Sequence, residues 1–244
     1  MRATSTRWPA SLRLADLTWP QIEAQVGPET VLAVPLGATE QHGPHLPQSV
    51  DTDVAVALCA GLAGARPDVV VAPALPFGAS GEHAGFPGTL SIGHEALRHV
   101  LVELGRSATD TFVHVLFVSG HGGNADGVRG AVAQLRAEGR DVSVFEPRWA
   151  GEPHAGRPET SMMLALDPVR VRMDLAEPGD QRALPDVLPL LRARGIRAAS
   201  PNGVLGDPRG ATAAEGHAVL ARLTADLVAH VEVWLGAEPG RARA

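Results

Sequence analysis

Residues 31–74 read VLAVPLGATEQHGPHLPQSVDTDVAVALCAGLAGARPDVVVAPA, and this stretch decides the fold class. Val31 to Leu36 and Val69 to Ala74 are short apolar runs rich in β-branched residues. Between them, Thr52 to Gly64 carries apolar residues at helical spacing. Strand, helix, strand in that order is the signature of a crossover unit in a parallel sheet. Downstream the alternation repeats: strands are predicted over Val113 to Val118 and Val142 to Phe145, with helices over Gly93 to Thr109 (Leu97, Leu101 and Leu104 on one face) and Ala125 to Glu138. The expectation is an α/β protein, a three-layer α/β/α sandwich with a mostly parallel sheet. A further helix should begin near Glu159, and Ala213 to Trp234 reads as a long terminal helix. The Pro- and Gly-containing stretch Glu177 to Pro208 reads as a loop-rich region and not as a domain linker. One domain is expected over residues 1–244, with its core at about 30–235 and frayed ends at 1–7 and 237–244.

Composition narrows the chemistry. The chain has 244 residues, 45% hydrophobic and 20% charged, enough to bury a substantial core. It has no apolar run of about 18 residues, and no apolar stretch follows the arginines of Met1 to Trp8. Neither a membrane span nor a secretory signal is therefore expected, and the cytoplasm is the expected compartment. The single cysteine, Cys59, excludes an intrachain disulfide and a multi-thiolate metal site. All 21 basic residues are arginine, which excludes Schiff-base chemistry and a lysine-bearing phosphate loop. Tyrosine is absent as well. A net charge of −6 with scattered arginines argues against nucleic-acid binding.

Ligands of open α/β sheets bind beyond the carboxyl ends of the strands. Four loops there are chemically unusual: Gly37 to Asp53, Pro76 to Thr89, Ser119 to Asn124 and Glu152 to Thr160. They hold five of the ten histidines, His42, His45, His83, His121 and His154. In Glu40-x-His42 the two side chains share one side of an extended segment and could grip one ion or two adjacent ions. Asp51 and Asp53 precede a helix, His121 lies between glycines directly after a strand, and Glu159 stands at a helix start. Together these donors suit Zn²⁺, Mn²⁺ or Fe²⁺ without any thiolate.

Each residue also has a plainer reading. Asp51 or Glu159 alone is most simply a helix cap, and Ser-Gly-His occurs in ordinary turns. The coincidence at the ends of successive strands favours a site. His94, His99, His114, His217 and His230, on predicted helices or in a strand, read as surface or satisfied core residues, with His45 and His83 in between. Ser80 and Ser119 could be nucleophiles, but neither lies in a G-x-S-x-G elbow.

The motifs Gly37-Ala38-Thr39-Glu40-Gln41-His42-Gly43-Pro44-His45-Leu46-Pro47, Asp51-Thr52-Asp53, Gly120-His121-Gly122-Gly123-Asn124, His154-Ala155-Gly156 with Glu159-Thr160-Ser161, and Gly203-Val204-Leu205-Gly206-Asp207-Pro208 resemble the creatininase family of metal-dependent amidohydrolases. Within it, the chain is most similar to the branch found with mycofactocin biosynthesis, which releases a C-terminal dipeptide from a modified precursor peptide. The resemblance implies one or two divalent ions (Zn, Fe or Mn). Glu40, Asp51 and His121 would hold one, and His42, Asp51 and Glu159 the other, with Asp51 as the bridge. It also implies a homo-oligomer, often a hexamer. Creatininases proper have a tyrosine and a metal-binding glutamate where this chain has Gly122 and Gly123, so Glu159 is left to replace that glutamate.

The expected reaction is amide hydrolysis by a metal-activated water. His154 is the candidate acid for the leaving nitrogen, with Glu159 beside it. Glu82, His83, Gly122 and Gly123 would shape the pocket or orient substrate, the two glycines leaving one wall open for a peptide. Arg157 is a candidate partner for a substrate carboxylate. The alternatives are a deformylase or lactam hydrolase acting on a small heterocycle, and a non-catalytic binding subunit stabilised by metal.

Overall fold

The computed structural model describes residues 12–236; the ends expected to fray, 1–7 and 237–244, lie outside them. Five strands, β1 (Leu12–Arg13), β2 (Val31–Leu36), β3 (Val69–Val71), β4 (His114–Ser119) and β5 (Asp141–Phe145), form one sheet in the order β1-β3-β2-β4-β5. Every neighbouring pair is parallel. The helices are α1 (Trp19–Gln25), α2 (Val50–Ala65), α3 (Gly93–Ala108), α4 (Ala125–Ala137), α5 (Arg157–Leu166), α6 (Leu184–Arg194), α7 (Ile196–Ala199) and α8 (Ala213–Gly236).

Strands β2 and β4 are buried at every residue, as expected of parallel strands covered on both faces. Val31, Ala33, Leu116 and Val118 pack with Val54, Leu58, Met162, Leu223 and Leu227 of α2, α5 and α8. From the other face, Leu32, Val34, Val115 and Phe117 meet Leu97, Leu101, Val128 and Leu135 of α3 and α4. The result is the expected three-layer sandwich. Pro35 sits in the central strand, where a missing N–H would ordinarily break a ladder. Here β3 has already ended at Val71, and Pro35 still accepts through its carbonyl from Leu75 N–H at 2.9 Å.

Three expectations need correction. β3 stops at Val71 rather than Ala74, because Pro73 follows within two residues and cannot donate to a ladder. The loop-rich segment 177–208 also holds two helices that its sequence did not announce, α6 and α7. Val187, Leu191 and Ile196 supply an apolar face that packs on Leu205 and Phe86, while Pro185 and Pro189 hide that period in the sequence. β1 and α1 were not expected. α1 follows Thr18, whose N–H donates to Gln21 Oε1 at 2.8 Å, a capping interaction legible in retrospect.

Candidate metal centre

The carboxyl ends of β2, β3 and β4 converge with the start of α5. Glu40 and His42 lie on the segment after β2, Asp51 in the first turn of α2, Glu82 and His83 in the loop after β3, and His121 two residues beyond β4. His154 is fixed by a bridge to Leu205, and Glu159 lies in the first turn of α5. Close approach is built into the backbone: a Cβ on Gly120 would collide with the Asp51 carbonyl, so glycine alone lets His121 reach α2. Glu40, His42, Asp51, His121, His154 and Glu159 are all buried.

Among the described residues, three trios have donor atoms within 4.8 Å of one another: Glu40, Asp51 and His121; His42, Asp51 and Glu159; and Glu40, His42 and His154. Asp51 belongs to the first two, its Oδ1 lying 3.4 Å from His42 Nε2 and its Oδ2 3.5 Å from His121 Nδ1. His42 Nδ1–H donates to the Glu40 carbonyl at 3.2 Å, which turns the Nε2 lone pair toward Asp51 and Glu159. His121 Nε2–H donates to the Ala79 carbonyl at 3.1 Å and frees Nδ1 on the Asp51 side. Backbone carbonyls commonly orient metal-binding imidazoles in this way. Ala155, held at φ +52°, turns its N–H onto Glu159 Oε2 at 2.5 Å and so aims that carboxylate.

Both oxygens of Glu40, Asp51 Oδ2 and His42 Nε2 are buried without a hydrogen-bond partner. Such orphans are costly unless a cation faces them, so the donor set fits a divalent ion. The electrostatics agree. Burial, reinforced by the Asp51 charge, pushes Glu40 well above the usual carboxylate range. Burial opposes charge on His42, but Asp51, Glu159 and Glu40 outweigh it and lift that imidazole to about 10. Burial raises Glu159 to about 7 despite His42. For Asp51, burial is overcome by His42 and His121, and its pKa is lowered. Burial and then the His42 charge hold His154 well below the usual imidazole range and drop His83 to about 3.

His83 Nε2 lies 3.2 Å from Glu40 Oε1, which brings His83 into the cluster. His45 does not join the trios; its Nε2 meets Thr160 Oγ1 at 2.9 Å. Gly122 faces open space, as expected. Gly123 does not: a Cβ there would collide with His121 Nε2 and Glu82 Oε1, so the wall expected to be open is closed by Glu82. The Glu82 carboxylate, 30% exposed, stands 3.7 Å from His121 and is the outermost acid of the cluster. Arg157 belongs to none of the trios, and its Nε is paired with Glu215 at 2.7 Å. Ser119 is tied to the His121 carbonyl. His94, His99 and His217 are exposed, while His114 and His230 bond Asp141 and Ser143. Sequence reasoning gave no role to Gln41, whose carboxamide touches two of the imidazoles. Its position between Glu40 and His42 was the available signal.

The family described as creatininase, creatinine amidohydrolase, matches residues 15–231. The chain belongs to the creatininase family. A relative from Mycobacterium ulcerans (strain Agy99), named mycofactocin precursor peptide peptidase, is 45% identical over 226 residues, covering 89% of this chain and 86% of that one. A creatinine amidohydrolase from Pseudomonas putida is 31% identical over 222 residues, covering 75% and 84%. Among solved structures, a mutant creatininase of Zn–Zn type superposes with a TM-score of 0.76 at 26% identity, covering 91% of this chain and 97% of that chain. Among the described residues, no helix is long and apolar enough to cross a membrane.

Proposed function

We propose that this creatininase-family hydrolase uses two divalent ions to cleave a peptide bond and release a C-terminal dipeptide from a modified precursor peptide. The observation that carries the reading is the pair of trios sharing Asp51, with buried lone pairs turned toward one another. Glu40, Asp51 and His121 would hold one ion, and His42, Asp51 and Glu159 the other. A relative of Zn–Zn type supports the nuclearity, and the His and carboxylate donors suit Zn²⁺, Mn²⁺ or Fe²⁺. When bound, the ions supply Lewis acidity toward the amide oxygen and the attacking water.

The protein's own groups do the rest. Hydrolysis adds water to the carbonyl carbon and breaks the C–N bond, and one proton of that water must end on the leaving nitrogen. His154 carries it: the imidazole is buried beside Glu40 and His42, and burial keeps it neutral and quick to release a proton. Glu82, at the rim, orients the peptide over the ions. Open space at Gly122 leaves room for an extended chain, and the name of the Mycobacterium ulcerans relative supports a peptide substrate. Incubation of metal-loaded protein with the modified precursor peptide, read by mass spectrometry, should show loss of two residues from the carboxyl end. Turnover of creatinine in preference to the peptide would overturn the substrate assignment.

A further inference from the structure

The turn between α6 and α7 lies against the loop that carries Glu82 and His83. A Cβ on Gly195, the residue of that turn, would collide with the Glu82 carbonyl, so the turn is pressed onto the rim of the candidate metal centre. Arg197 follows two residues later and is exposed, yet its guanidinium is held. Its Nη1–H donates to the carbonyl of Gly85, a residue at φ +91° where glycine is the favoured occupant. Its Cζ stands 5.3 Å from the centroid of the Phe86 ring, within the range of a cation–π contact. Phe86 in turn packs on the cluster of Val187, Leu191, Ile196 and Leu205, and Leu205 is bridged to His154. The charge itself is left unmatched. Arg106, Arg157, Arg170, Arg182 and Arg209 each pair with a carboxylate, whereas among the described residues no carboxylate pairs with Arg197.

An enzyme that removes a dipeptide must measure from the carboxyl end of its substrate, and only the carboxylate distinguishes that end from the rest of the chain. An extended dipeptide spans roughly 7 Å. From His83, whose Nε2 lies 3.2 Å from Glu40 Oε1, the loop runs the same two residues to Gly85 and covers at most that length. We infer that Arg197 is the substrate-binding residue that takes the C-terminal carboxylate of the peptide, two residues beyond the bond held over the metal centre. A guanidinium offers five N–H donors in a fixed fork that matches a carboxylate, and only one is spent on Gly85. Because Phe86 and Gly85 already immobilise it, little further freedom is lost when the carboxylate arrives. The Glu82 carboxylate is turned toward His121 at 3.7 Å, so the loop offers its acid to the cluster and holds a cation farther along. The inference deepens the peptidase reading and rests on it for the identity of the ligand.

The test compares the modified precursor peptide bearing a free C-terminal carboxylate with the same peptide as its C-terminal amide, on metal-loaded unmodified protein, Arg197→Met and Arg197→Lys. The unmodified protein should cleave the acid with a kcat/KM about 10–100-fold above that of the amide, the factor that a hydrogen bond to a charged group carries, and chiefly through KM. Arg197→Met should cleave the two peptides equally, with the kcat/KM of the amide and with metal content unchanged. Arg197→Lys should restore part of the preference, because it keeps the charge without the fork. Equal cleavage of acid and amide by the unmodified protein would overturn the assignment without recourse to any variant. So would an equal loss on both peptides in Arg197→Met, the result expected of an arginine that merely latches the loop at Gly85. If neither peptide is cleaved, the peptidase reading falls, and binding then decides the part of Arg197. Fluorescence anisotropy of the labelled peptides should show a preference for the acid that Arg197→Met abolishes, and the absence of that preference would overturn the assignment as well.

Discussion

At the amino ends of β4 and β5, His114 and Asp141 stand opposite each other in register; at the carboxyl ends of β2 and β4, His42 and His121 stand around Asp51. Both clusters set a buried imidazole against a carboxylate, half-buried at Asp141 and buried at Asp51, and their carboxylates end in opposite states. Asp141 Oδ2 accepts from His114 Nδ1 at 2.5 Å and its Oδ1 from Trp234 Nε1 at 2.8 Å, so the carboxylate is fully used by the protein and pins α8 to the sheet. At the other end Glu40 has no partner on either oxygen, and Asp51 and His42 each leave one atom unpaired. A carboxylate with both oxygens taken is architecture even though His114 Nε2 is left unpartnered, whereas several orphaned acid oxygens and an imidazole turned toward one another make physical sense around a cation.

The comparison breaks most visibly at Asp51, the residue shared by both trios. Asp51→Ala should lower metal content more than any other single ligand change and cut affinity by more than the roughly 10–100-fold typical of an outer partner, with activity lost in parallel. Elemental analysis after dialysis decides it, and full metal retention would rule out the bridging role. His154→Ala sits one step down: metal content should hold while kcat falls by about 10²–10⁴, the range for a positioned acid or base. Loss of metal in that variant would make His154 a ligand, as the trio with Glu40 and His42 also permits.

A third expectation uses pH to separate the two states of the cluster. In metal-free protein, His42 is raised from 6.5 to about 10 and Glu159 from 4.5 to about 7. A group whose pKa is raised on folding contributes stability in full below its unfolded value and loses it as pH rises through the folded one. His83 and His154, lowered on folding, oppose this below about pH 6.5, so chelated protein should lose stability from about pH 6.5 upward through about pH 10. Metal-loaded protein should gain over the lower part of that range, because Glu159 and His42 must shed protons to bind. Melting curves with and without chelator should diverge as pH rises, and parallel curves would contradict the assigned ligands.

The difference between the ends also explains what could be read from the chain alone. The strand runs Val31–Leu36 and Val142–Phe145, and the site loops after them, were legible because buried parallel strands are apolar throughout and because histidines gathered beside glycine and proline. α6 escaped because Pro185 and Pro189 interrupt an otherwise helical period. The closed wall at Gly123 escaped for another reason: a glycine states what it lacks, not what fills the space, and Glu82 arrives from a loop some forty residues away. Gln41 was passed over because a carboxamide has no chemistry of its own, and its part is visible only from the partners on four sides.

The smallest effect on function belongs to the opposite end of the sheet. Asp141→Asn keeps the shape of the side chain but loses the charge that accepts from His114, leaving a weaker neutral bond there or at Trp234. Hydrogen bonds to charged groups contribute about 1.5–3 kcal/mol against about 1 kcal/mol for neutral ones, so stability should fall by about 1–2 kcal/mol in urea unfolding. Metal content and kcat should match the unmodified protein, since β4 and β5 run their full length between this pair and the candidate metal centre. A loss of bound metal in Asp141→Asn would show that the two ends are coupled through the sheet and that the contrast between an architectural pair and a metal-seeking cluster is drawn in the wrong place.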